Sequence, residues 1–185
     1  VLTSIITVNS VNLRHANLSG ARTLHADLRY ADLRYADLRG ADLRDTNFEW
    51  AWLHNSQADD QTQFDDKWYW VWRTVASDFQ PFLDSLVPGV GDFSRANLRG
   101  VTINPHSFLV NSDFSESLLE GTVFSGADLR NANFADALLE GARFVRADLT
   151  LANFHTADMQ GANLLNANLS GATLEGARLP GAVLA

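Results

Sequence analysis

Two adjacent carboxylate pairs, Asp59-Asp60 and Asp65-Asp66, are the residues whose types and spacing first suggest chemistry. Paired carboxylates do general acid–base work when burial or a neighbour raises one of their pKa values. Here they stand among Gln61, Thr62, Gln63 and Lys67, with no apolar surround to raise a pKa. Asp65 or Asp66 suits a different task, the N-cap of a helix. His15, His25, His54 and His155 are scattered at polar positions without metal-ligand spacing. His106 follows Pro105 where a small inward residue is expected. A ligand or base there needs a second His, Cys or acid at suitable spacing, and none is present, so a histidine accommodated at a distorted corner is the expectation. There is no Cys, no nucleophile elbow and no phosphate-cradling loop. The expectation is therefore no enzyme: no catalytic residues, no cofactor and no metal.

Binding chemistry is better represented. The stretch FDDKWYWVWRTVASDF holds three of the five tryptophans. Within it Trp68, Val71, Trp72, Val75 and Phe79 recur at helical spacing and form one apolar stripe. A second short helix is expected over 79–87, with Asp78 as its N-cap and Pro81 in its first turn. Upstream, Trp50 and Trp52 flank Ala51 and are expected to point outward, with Tyr30 one coil back in the column of Trp50. The expected fate of the stripe is to fold onto this Tyr30, Trp50 and Trp52 ladder, because an exposed aromatic ladder is unusual on a polar surface. Trp70 lies opposite the stripe. It either packs against the second helix or, with Tyr69, forms a candidate protein-interaction site, since exposed Trp and Tyr are favoured interface anchors.

On both sides of this segment the chain repeats every five residues. From Val8 to Leu53 an apolar residue marks each beat, Thr23 alone breaking the run, and a small residue sits two places earlier. The beat returns at Phe93, Leu98, Ile103 and Phe108, slips by one residue, and runs from Phe114 to Leu184. A period of five fits neither a helix nor a long strand, but it fits short extended pieces separated by corners. Gly121, Gly141, Gly161 and Gly181 recur every 20 residues, as do Phe114, Phe134 and Phe154, and also Phe124 and Phe144. Four units therefore close one coil, and the two Phe columns lie on opposite faces. The expected core includes these five Phe and Leu28, Leu33, Leu38 and Leu43. Asp27, Asp32, Asp37 and Asp42, with Arg29, Arg34, Arg39 and Arg44, decorate the outside, read as a belt of weak surface pairs or as a charge-patterned docking collar.

The units Ala31-Asp32-Leu33, Ala41-Asp42-Leu43, Ala147-Asp148-Leu149 and Ala167-Asn168-Leu169 resemble the pentapeptide repeat family, with motif A-(D/N)-L-x-x, over about 29 units. The resemblance implies an all-β solenoid, a right-handed quadrilateral β-helix of about seven coils, roughly 35 Å long at the strand spacing of a sheet. Asp65, Asp66, Lys67, Trp68, Val71 and Trp72 are also similar to an insertion in cyanobacterial members, which suggests a cyanobacterial source. The expected organisation is a first β-helix segment over 1–58, a helical Trp-rich insertion over 59–91 and a second β-helix segment over 92–185.

Net charge is −8, and residues 54–92 carry five of those charges. An acidic balance speaks against nucleic acid as a partner. No apolar run reaches the ~18 residues of a membrane span, and no signal peptide is visible. A soluble protein is expected, cytoplasmic, or periplasmic or lumenal where a leader has been removed. The functional expectation is a non-catalytic scaffold for a protein partner. One alternative is a DNA mimic that inhibits gyrase, as some members of the family do. The other is a spacer or self-stacking unit, for which a homodimer formed end to end is the expected assembly. An open coil end exposes strand edges unless something covers it, and the insert itself is a candidate cover.

Overall fold

The computed structural model describes residues 11–75, 91–103, 105 and 107–184. The chain divides into two compact units, Val1–Asp78 and Phe79–Ala185, each described by itself. The second helix expected over 79–87, the stripe residue Phe79, and His106 lie outside the described residues.

Each unit is a stack of four-sided coils. Parallel bridges link residues 20 apart, as in Asp32 with Trp52 and Asp128 with Asp148. The pairing lengthens into two-residue strands, β1 (Asn163–Leu164) and β2 (Val183–Leu184), in parallel register. Why five residues suffice follows from the hydrogen bonds of one repeat. Asn153 N–H donates to Ala132 O of the preceding coil, and Phe154 and Thr156 N–H donate to Thr173 and Glu175 O of the next. Ala157 N–H closes the corner onto Phe154 O at 3.1 Å. The remaining donor, His155 N–H, reaches the side-chain Oδ1 of Asn153 at 3.0 Å. All five backbone donors are thus satisfied. The D/N of the motif is the acceptor for the one N–H that no coil can reach, an Asx turn repeated on face after face.

The corners have a common geometry. Except at Pro105, after Ile103, the residue two places after a repeat centre has a left-handed backbone, with φ between 55 and 74°. Glycine takes this place at Gly100, Gly121, Gly141, Gly161 and Gly181, as the 20-residue column predicts. The same φ recurs at Leu151 and Thr156, which pay for it in local strain. The ladder bonds on either side hold those residues in place.

The cores of the two units differ. In the second, Phe93, Phe114, Phe134 and Phe154 stack at 4.9 to 5.1 Å, and Phe124 and Phe144 stack opposite them at 5.1 Å. The columns meet edge to face across the interior. In the first unit Leu28, Leu33, Leu38 and Leu43 line the core with Phe48 and Leu53. Thr23, the break in the apolar beat, is buried with its Oγ1 2.8 Å from that of Thr46, which also donates to Thr23 O. Two polar substitutions in the repeat therefore satisfy each other. Thr46→Ala is expected to cost about 1–2 kcal/mol by orphaning the Thr23 hydroxyl, and Thr23→Leu added to it should recover most of that. Urea unfolding followed by tryptophan fluorescence checks both, and a Thr46→Ala protein as stable as the wild type would refute the pairing.

Two irregularities correct the expected register. Phe108, expected as an inward centre, is 51% exposed, while Leu109 is 1% exposed and Ser107 fully buried. The extra residue lies between Ile103 and Ser107, one unit earlier than the beat suggests. Pairing steps of 21 at Asp92, Asn97 and Thr102 accordingly drop to 20 at Phe108. Ser107 fills the small inward place. In the first unit, Asp42 bridges Gln63 at a step of 21, so repeat pairing continues beyond residue 58. The boundary expected at 58/59 moves past Phe64, to the start of helix α1 (Asp66–Val75).

Candidate interaction surface

Helix α1 begins where Asp65 O accepts Tyr69 N–H at 3.0 Å. Its apolar stripe buries Trp68, Val71 and Val75, as the helical spacing predicts. The Trp68 ring meets Phe48 edge-on at 5.9 Å, and Trp72 stacks on Phe64 at 5.8 Å. The Trp72 indole N–H donates to Ser56 O at 3.3 Å. Trp68 and Trp72 therefore seat on Phe48 and Phe64 in the last coil of this unit. An open coil end exposes more apolar surface and more unpaired backbone than one coil face does, so covering it gains more.

The paired carboxylates belong to the same cover. Corner N–H groups elsewhere donate to a carbonyl one coil on, as Tyr35 does to His54 O. At the coil end Gly40 N–H finds Asp59 Oδ1 at 2.9 Å, and Asp45 N–H finds Asp65 Oδ2 at 3.0 Å. Asn55 N–H reaches Val75 O at the end of the helix. The Gly40 N–H, ahead of the Thr62 hydroxyl and nearby amides, holds the Asp59 carboxyl below its ordinary pKa. Asp59 and Asp65 are hydrogen-bond acceptors for the ladder.

Two of the three expected ladder residues stack, and the third has other partners. Tyr30 and Trp50 stack at 4.8 Å, and the Arg34 guanidinium lies 4.7 Å over the half-buried Trp52 ring. On the outer side of α1, Tyr69 is 37% exposed and Trp70 half-buried, their rings 5.4 Å apart and edge-on. Arg73 braces Tyr69 from one turn away, its Nη1 3.2 Å from the hydroxyl and its guanidinium over the ring. Tyr69, Trp70 and Arg73 thus form a fixed aromatic and cationic patch.

In Asp27/Arg29, Asp32/Arg34, Asp37/Arg39, Asp42/Arg44 and Asp128/Arg130, the arginine two residues on grips its aspartate through Nε and Nη2. That hydrogen bonding, first among the causes, lowers the Asp37 and Asp42 carboxyls to about 2. Among the described residues no cluster of His and acids could hold a metal, and no helix is long and apolar enough to cross a membrane.

The family model for pentapeptide repeats matches eight copies, over residues 9–45, 24–56, 107–144 and 147–184. No curated protein matches the chain. Among solved structures, HetL is a pentapeptide repeat protein involved in heterocyst differentiation regulation from the cyanobacterium Nostoc sp. strain PCC 7120. It is 28% identical with a TM-score of 0.40, over 95% of this chain and 64% of HetL, so the chain spans under two thirds of HetL's length. Rfr23 from the cyanobacterium Cyanothece 51142 is 17% identical with a TM-score of 0.41, over 91% of each chain. The Nostoc protein alr5209 is 38% identical with a TM-score of 0.37, over 48% of this chain and 64% of its own. The chain belongs to the pentapeptide repeat family, whose right-handed quadrilateral β-helix is the fold of its coils.

Proposed function

We propose that the chain is a non-catalytic scaffold that binds a protein partner through the outer side of α1. One observation carries the reading: the exposed Tyr69 ring, held by Arg73 and abutting Trp70. A braced aromatic loses little side-chain entropy when a partner covers it, which is what an interface anchor needs. The intra-unit arginine grip on the aspartates favours this scaffold over a mimic of DNA, because a mimic needs unneutralised, regularly spaced negative charge. Inhibition of gyrase supercoiling at low protein concentration would reverse that preference.

The partner is obtained by placing a photo-crosslinking amino acid at Tyr69 and irradiating in an extract of the source organism. Its affinity is then measured for the wild type, Tyr69→Ala and Trp70→Ala, with Tyr35→Ala as a control on another surface. Loss of one anchor should weaken binding by about thirtyfold, the ~2 kcal/mol of an interface hot spot. Wild-type affinity in both α1 variants would remove the helix from the interface.

A further inference from the structure

We propose that the second unit carries a separate binding groove for an acidic, partly apolar peptide segment, centred on Arg143 and Arg146. Residues 93–185 hold six arginines. Four of them pair with a carboxylate: Arg95 with Glu116, Arg99 with Glu120, Arg130 with Asp128 and Arg178 with Asp158. Arg143 and Arg146 make no ion pair among the described residues. Both line one groove of ≈ 540 Å³, which also presents the polar side chains of Ser125 and Asn166 and the apolar ones of Val145 and Leu165. Gly126, a corner residue with no side chain, also lines the groove. Arg146 also lines a second recess of ≈ 340 Å³ together with Phe108, Asp148 and Asp128, the last gripped by Arg130.

Phe108 is the residue that the register slip turns outward, and Leu165 is 39% exposed. Two arginines with no ion pair among the described residues therefore line the same groove as the exposed Leu165, and one of them also lines the recess that holds the exposed Phe108. The complementary ligand has carboxylates alternating with apolar side chains in an extended backbone. Carboxylates meet the guanidiniums, for which Arg offers a fork of donors, and the apolar groups cover Phe108 and Leu165. This site does not involve α1, so it stands or falls independently of the function proposed above.

Binding is tested on the full chain by fluorescence anisotropy with a labelled peptide alternating glutamate and leucine. Comparison probes are the same peptide with glutamine for glutamate, inorganic phosphate and oligothymidylate. Arg143 occupies an outward position shared with Val123 and Asn163, and Arg146 a left-handed corner shared with Gly126 and Asn166. Arg143→Gln with Arg146→Asn therefore suits the backbone, and an unchanged melting temperature confirms it. The double variant should weaken peptide binding by roughly tenfold, Phe108→Ser by a few-fold, and Arg178→Gln not at all. Added salt should weaken it as well. Equal affinity in the double variant, equal binding of the glutamine peptide, or no peptide binding overturns the proposal. Displacement of the peptide by phosphate or oligothymidylate at lower concentration than unlabelled peptide also overturns it, in favour of a phosphate site.

Discussion

Phe134→Ala is expected to destabilise the second unit by about 3–5 kcal/mol, the largest effect of any single core truncation in it. Phe134 is fully buried and stacks on Phe114 at 5.0 Å and on Phe154 at 4.9 Å. It also meets Phe124 and Phe144 edge-on. Truncation therefore removes four ring contacts, each worth roughly 0.5–1.5 kcal/mol beyond burial. The cavity cannot collapse, because the coil backbone is fixed by ladder bonds above and below. Phe134→Leu, which restores the commoner centre residue, should cost far less. All five tryptophans, Trp50 to Trp72, lie in the first unit. Circular dichroism in urea should thus show the loss while tryptophan fluorescence reports an unchanged midpoint. A joint shift of both signals would show that the two units unfold as one cooperative body. A cost below about 1 kcal/mol would contradict the close packing attributed to the columns.

The repeat made the coil legible because a period of five combined with a superperiod of 20 admits few geometries. Inward Leu, Phe and Ala, the glycine corner and the two Phe columns all follow from side-chain direction and size. The role of the motif's Asp or Asn did not follow. Its spacing to Arg reads as surface charge, and only the backbone shows the N–H that it accepts. The slip near Pro105 was visible as one extra residue, but Phe108 and Leu109 are adjacent apolar residues, and periodicity alone cannot choose which turns inward. A buried Ser107 decides it, since serine fits the small place that Ala fills elsewhere. The Trp stripe was legible as a helix face, whereas its target was not. Tyr30, Trp50 and Trp52 are the more conspicuous partners in sequence, yet Phe48 and Phe64 terminate the coil. A coil end is a property of the stack and leaves no local pattern.

That same coil end sets the second large effect. Trp68→Ala is expected to destabilise the first unit by about 3 kcal/mol or more and to promote self-association. Trp68 is 7% exposed and lies edge-on against Phe48, so its loss uncovers a core residue as well as leaving a cavity. Without the helix seated, Asn55 loses the Val75 carbonyl and Trp72 its bond to Ser56 O. The last coil then presents both apolar side chains and an unpaired ladder edge, the combination that recruits another chain. Asp65→Ala, which removes only the acceptor for Asp45 N–H, should cost about 1–2 kcal/mol and leave the core covered. Tyr69→Ala on the outer side should change stability by under ~0.5 kcal/mol, as exposed sites do. Urea unfolding by fluorescence ranks the three, and sedimentation velocity follows association. A Trp68→Ala protein that stays monomeric and as stable as Tyr69→Ala would mean that the helix does not close the coil. The difference between these two neighbouring residues separates closure of the coil end from partner binding: Trp68 faces the core, while Tyr69, one residue on, is turned to solvent.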